Sequence, residues 1–230
     1  MQNRIAIVLP VRNFGTERYK RLARCLDSYA EFTDGHSDVF VLHDDDECDI
    51  YDPILKKYPN VKNLCVKSGI NLMQKMNIHA MDIANEYKYM GFIGDDIVFR
   101  TKWEEKFIEG LSAHKFSLVF ANDLMYTKGE HVTHPFITTN MVRAVGFFGC
   151  PAVGHHFFDN YWMDMIRRVG FQKFYASIIM EHFHPLMYKA EKDAGFKEIE
   201  SKLYENYDGY KAYIADKHFE ADVQKVLAYE

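Results

Sequence analysis

Acidic side chains at the ends of apolar runs carry the most chemistry in this sequence. Residues 89–99, YMGFIGDDIVF, are apolar as far as Ile93, break at Gly94-Asp95-Asp96, then turn apolar again. A buried strand explains the first part. Two adjacent carboxylates do not belong inside one, because an ionised carboxylate away from water is costly unless something pairs it. The strand is therefore expected to end at Ile93 and to deliver Asp95 and Asp96 to a crevice. Two carboxylates there suit a hard divalent cation, Mg or Mn. The plainer alternative is a Gly-Asp turn between strands.

Three more constellations belong with this one. Asp44-Asp45-Asp46-Glu47 follows the aliphatic run 38–43 directly. It is either a solvated loop or the acidic rim of the edge where open α/β sheets bind ligands. Asp159 lies in 155–169, HHFFDNYWMDMIRRV, on the helical face of Trp162, Met163 and Ile166. It is either a first-turn acid or a general base for an attacking alcohol. Asp164 is on the polar side, one turn from Arg168, as a surface ion pair. His182 and His184 alternate just past a strand and face one way. They either complete a metal shell begun by Asp96 or bond locally before Pro185. His155, His156 and His134 line an acceptor pocket or sit on the surface, and His131 is expected on the surface.

The elements that position these groups follow from periodicity. Strands are expected at 4–9, 38–43, 61–66, 89–93, 117–121 and 173–180, with 134–139 extended. Helices are expected at 16–30, 71–87, 103–111 (Thr101 as cap), 140–145 and 155–169. The tail reads as two charged helices, 196–206 and 208–229. Strand–helix alternation implies a mainly parallel sheet with helices on both faces. Residues 1–190 then form one domain and 191–230 a helical extension packed on it.

Composition narrows the classes. The chain has 230 residues, 48% hydrophobic and 27% charged, enough for one sizeable core. Lys+Arg 28 against Asp+Glu 33 gives no global basic field for nucleic acid. The small cluster Arg167, Arg168, Lys173 is the one local candidate. Cys25, Cys48, Cys65 and Cys150 are spread out, which argues against a zinc site or a disulfide framework. With no apolar run long enough for a signal or a membrane span, a cytoplasmic protein is expected.

In this order the motifs resemble the GT-A glycosyltransferases, and among them the large family 2 type. RIAIVLPVRN (4–13) resembles the opening strand and its Pro-x-x-Asn exit; VFVLHDDD (39–46) resembles the second strand with its acidic end. The helix with Gln74 and Asn77, running into 84–99, resembles the Asn-containing helix before the Asp-x-Asp strand. Residues 157–170 resemble the helix whose first acid is the catalytic base, and 180–185 the closing strand with a metal-side histidine. The likeness covers about 3–190. Gly94 stands where many members have the first Asp, and Phe158 where a Glu precedes the base.

The resemblance implies a Rossmann-like GT-A fold and a nucleoside diphosphate sugar donor, UDP-sugar favoured. Pro10, Arg12, Asn13, Asp44, Asp45, Asn77 and Asp95 would contact the nucleotide. Asp96, His182 and His184 would hold Mn or Mg, and Asp159 would deprotonate an acceptor hydroxyl with inversion. The compact form is similar to short phage-encoded enzymes, acting in the host cytoplasm. The acceptor would then be a hydroxymethylated DNA base, a protein or a glycan. Two rival classes remain: a sugar-phosphate nucleotidyltransferase, of whose Gly-rich basic loop VRNFGTER is a faint version, and a non-catalytic nucleotide- or glycan-binding module.

Overall fold

A computed structural model describes every residue except Phe14 and Tyr188, and leaves aside the side chains of Thr16 and Glu17. The order is β1 (Gln2–Pro10), α1 (Thr16–Phe32), β2 (Ser37–Asp44), α2 (Cys48–Leu55), β3 (Val61–Val66), α3 (Leu72–Ile78), α4 (Ala80–Glu86), β4 (Tyr87–Phe92), β5 (Ile97–Phe99), α5 (Glu104–Ser112), β6 (Ser117–Asn122), β7 (Phe136–Thr138), α6 (Thr139–Val145), α7 (Phe158–Val169), β8 (Phe171–His182), α8 (Ala194–Ser201), α9 (Leu203–Ala215) and α10 (His218–Ala228).

The strands form one sheet in the order β3-β2-β1-β4-β7-β6-β8-β5. β1 runs parallel to β2 and β4, β2 to β3, and β6 to β8; β7 and β5 are antiparallel to their neighbours. Alternation along each strand feeds two cores. Ala6, Val8, Phe40, Leu42 and Met90 pack on one face against α3, α4, α6, α7 and α10. Ile5, Ile7, Leu9, Val39, Val41 and Tyr89 pack on the other against α1, α2 and α5. Residues buried on both faces explain why these strands read as unbroken aliphatic runs.

This topology gathers chemistry at one rim. Pro10, Asp44, Phe92 shortly before Asp95-Asp96, Asn122 before Asp123, and His182 all end strands that run the same way. Helix α7 leads into β8 from the opposite rim, so its first turn, with Asp159, lies at the carboxyl rim too.

Several expectations change. The helix expected at 71–87 breaks at His79 (φ −111, ψ 3), and the chain is already extended at Tyr87. Helix α2 was not expected, because acids precede it and Pro53 lies inside it. Thr101 does not cap α5; its Oγ1 accepts the Ile179 N–H at 2.9 Å. The tail holds three helices, and Tyr210, Phe219, Val223 and Val226 join the same core as Trp162.

Candidate active site

The antiparallel pairing of β5 with β8 sets Ile97 opposite His182. Phe183 N–H then donates to the Asp96 carbonyl at 2.9 Å, and His182 N–H to the Asp123 carbonyl at 3.0 Å. The side chains follow: His182 Nε2 stands 3.4 Å from Asp96 Oδ2. Burial opposes charge on His182, but Asp96 outweighs it and raises the imidazole's pKa; the histidine and its neighbour His134 in turn hold Asp96 well below the usual carboxylate range despite burial. His182 Nδ1 is buried without a hydrogen-bond partner.

More imidazoles crowd this pair. The rings of His134 and His184 each lie 4.9 Å from that of His182. Burial, then the neighbouring His182, pushes His134 down to about 3. His155 is pushed down to about 4 by burial and by His156, with Arg18 opposing its charge and Asp96 favouring it. His184 Nδ1 accepts the Leu186 N–H at 3.2 Å, the local bonding open to it from the start.

Asp95 points to a different task. It is buried, and Arg18 Nη1 donates to both its oxygens at 3.0 and 3.3 Å. Burial raises its pKa to about 6 against the pull of Arg18, with Asp96 adding to the rise. Arg18 Nε also binds Asp193 at 2.8 Å, so Asp95 is tied to α1 and the tail.

The acidic rim after β2 is a network. Asp44 is buried in an ion pair with Lys75, itself buried, and Arg12 Nε lies 3.9 Å from its other oxygen. Asp45 is exposed and accepts the Ser68 N–H at 3.0 Å. Glu47 accepts the Asn13 N–H at 2.9 Å, and Asn13 Oδ1 accepts that of Gly15 at 2.9 Å. Half-buried Pro10 ends β1 beside them. Asn77 is engaged by the 148–149 backbone: its Oδ1 accepts from the N–H groups of Phe148 and Gly149, and its Nδ2 donates one of its two hydrogens to the Gly149 carbonyl.

Asp159 opens α7 with Oδ1 on the Asn160 N–H at 2.9 Å and Oδ2 3.0 Å from His131 Nε2. His131 is therefore not a bystander on the surface. Its bond to Asp159 raises its pKa against burial. From Phe158, next to Asp159 in sequence, a chain of rings runs to the histidines: Phe158 on Phe92 at 5.0 Å, Phe92 stacked on His134 at 5.9 Å, His134 on His182. Asp164 pairs with Arg167 and accepts from Tyr210 rather than meeting Arg168, which binds Glu220.

Two groups of three ligand atoms lie within 4.8 Å of one another among the described residues: Asp44, Asp46, Glu47 and His43, Cys48, Cys65. Asp96, His182 and His184 are neighbours but not a preassembled trio of that kind. All four cysteines are free thiols, but two that are far apart in the sequence, Cys48 and Cys65, touch.

No protein-family profile matches the chain, and no curated protein matches it in sequence. Solved structures do. Residues 1–349 of S. aureus TarS in complex with UDP align with a TM-score of 0.57 and 11% identity, over 77% of this chain and 59% of that one. The longer TarS structure aligns at 0.51 and 13%, over 69% of this chain and 32% of that one. The 4-diphosphocytidyl-2C-methyl-D-erythritol synthase of Anaerococcus prevotii aligns at 0.52 and 12%, over 77% and 87%. The fold is GT-A-like.

In this GT-A-like frame the chain spans about a third of the longer TarS structure. Sequence reasoning missed Arg18, Lys75, Asp123 and His131. Asp123 is buried, accepts from Met125 and Tyr126 N–H and from Thr133 Oγ1, and shapes the loop that brings His131 to Asp159. Its signal was visible: Asn122-Asp123 ends a buried strand just as Asp44 and Asp95 do. Lys75 gave none, being a lone lysine between Gln74 and Met76. Among the described residues no helix is long and apolar enough to cross a membrane.

Proposed function

We propose that this chain is a glycosyltransferase that moves a sugar from a nucleoside diphosphate sugar, UDP-sugar favoured, to an acceptor hydroxyl. The observation that carries this is the Asp96–His182 pair at the carboxyl rim, 3.4 Å apart, Asp96 immediately before β5 and His182 ending the β8 strand that pairs with it. The UDP in the TarS complex supports the donor class.

The residues fit a divalent cation. The Asp96 carboxylate oxygen and the His182 Nε2 beside it make an oxygen–nitrogen donor pair of the kind Mn accepts. Asp96 and His182 would hold the ion, with His184 beside them. When bound it would stabilise the charge developing on the leaving diphosphate. The chain's own groups do the rest. Arg12, Asn13, Asp44 and Asp45 flank the nucleotide end. Asp159 takes the acceptor's hydroxyl proton as the oxygen attacks the anomeric carbon. The bond from that carbon to the phosphate oxygen breaks, the nucleoside diphosphate leaves, and the configuration inverts. His131 fixes the Asp159 carboxylate. Phe92, Phe158 and Tyr126 wall the acceptor side. Arg167 and Arg168 are each paired with an acid, which weakens the case for a DNA acceptor and favours a glycan or protein hydroxyl.

Calorimetry tests the reading. UDP should bind more tightly with Mn than without, and Asp96→Ala should lose at least tenfold of that gain. No gain in UDP affinity from Mn, or the same gain in both proteins, would refute it. The erythritol synthase neighbour favours a second reading, nucleotidyl transfer. Release of pyrophosphate from CTP plus a sugar phosphate, without release of UDP from a UDP-sugar, would establish that instead.

A further inference from the structure

Cys48 and Cys65 stand in no sequence motif, yet the fold presses their sulfurs together. β3 is an edge strand whose Cys65 lies opposite His43 on β2. After Asp44 the chain makes a single 3-10 turn, Asp45–Glu47, and doubles back as α2, whose first residue is Cys48. Cys48 Sγ lies 2.8 Å from Cys65 Sγ and 3.4 Å from the Asp45 carbonyl. Cys65 is exposed and Cys48 half-buried, whereas Cys25 and Cys150 are buried and burial pushes both thiols up.

A metal cage is the competing use of these atoms, since His43 offers a ring nitrogen within 4.8 Å of both sulfurs. Both of its nitrogens face oxygens. Nδ1 lies 2.9 Å from the Asp44 carbonyl, and Nε2 meets Asn63 Oδ1, whose amide is anchored in turn on Asp52. The sulfurs are also nearer than the roughly 3.8 Å that two thiolates keep around tetrahedral zinc with bonds of about 2.3 Å. Two thiols in contact, one of them open to solvent, suit exchange chemistry better.

We infer that Cys48 and Cys65 form a reversible thiol–disulfide pair that tethers the acidic turn after β2 to the edge strand. Oxidised glutathione is the co-reactant. The Cys65 thiol, raised to about 11 by its hydrogen bond with Cys48, keeps its proton while Cys48 attacks. Cys48 as thiolate forms a mixed disulfide and expels one glutathione. Cys65 then loses its proton, attacks the Cys48 sulfur and expels the second. The balance is two protein thiols and one glutathione disulfide giving one protein disulfide and two glutathione thiols. The turn so tied joins three segments, because Asp45 accepts from Ser68 and Glu47 from Asn13. An altered UDP affinity on oxidation rests on the function proposed above; the bond itself does not.

The full chain is equilibrated in glutathione buffers from reduced to oxidised, alkylated, digested and mapped by mass. A linked Cys48–Cys65 peptide should rise with the oxidised fraction and vanish with dithiothreitol. Tm should rise by about 5–10 °C on oxidation. Cys48→Ser and Cys65→Ser should each lose the linked peptide and carry glutathione on the remaining cysteine. UDP affinity should differ at least threefold between the reduced and oxidised forms. Glutathione adducts without a linked wild-type peptide would overturn the inference, as would one zinc ion per chain lost in both serine variants. A linked peptide in a protein that binds no UDP in either form would uphold the pair and sink the donor reading.

Discussion

At the scale of single residues, proton placement separates the carboxylates. Asp95 and Asp96 are adjacent, yet burial lifts one to about 6 while imidazoles hold the other well down. Asp159 is bound by His131 and by its own helix. Asp159→Asn should cut sugar transfer by about 10²–10⁴-fold, and leave UDP binding by calorimetry unchanged. Normal turnover in that variant would remove Asp159 from the chemistry. His155 gives a pH prediction. Its pKa falls from the ordinary 6.5 to about 4 in the folded chain, so it stays neutral there while the unfolded chain takes a proton. Its contribution is present above pH 6.5 and is lost as pH falls towards 4. His155→Gln should therefore lose about 1–2 kcal/mol less stability than the parent between pH 7 and pH 5. Parallel urea midpoints for the two proteins would refute this.

Elements decide which of these side chains meet. The aliphatic runs of β1, β2, β4 and β6 were legible because strands covered on both faces need apolar residues at every position. Acids at the ends of two such runs, β2 and β4, therefore marked the rim. What stayed hidden were contacts set by register and loop course. Nothing local says that β5 pairs β8 with Ile97 opposite His182, or that the loop after Asp123 returns His131 to α7. Helix α2 was invisible because its acidic start and Pro53 imitate a loop, and with it went the Cys48–Cys65 contact. Asn77 marks the limit of resemblance: the residue was legible, but its partners are the backbone of 148–149. Asn77→Ala leaves two N–H groups and a carbonyl unpaired, and should cost about 2–3 kcal/mol. UDP affinity should be unchanged, since the amide faces the loop. A weakened Kd at full stability would return Asn77 to the nucleotide site.

For the whole molecule the issue is whether the tail is an appendage or part of the unit that holds the site. Two features argue for the second. Phe219, Val223 and Val226 of α10 pack in one core with Met141 of α6 and Trp162 of α7, the helix that carries Asp159. Asp193 binds Arg18 and Arg21 on α1 and caps α8 by accepting the Phe196 N–H, while Arg18 reaches on to Asp95. The rim is thus held from behind by apolar packing and from the side by an ionic strap. A chain so joined should unfold as one cooperative body. Phe219 is 7% exposed, and Phe219→Ala should cost about 3–5 kcal/mol. Far-UV circular dichroism and near-UV tryptophan signals should shift together to one lower midpoint, because Trp103 and Trp162 lie outside the tail. Were the tail a separate unit, the tryptophan midpoint would hold while part of the helical signal melted early. That split would also release Asp193 from Arg18 and loosen Asp95 first.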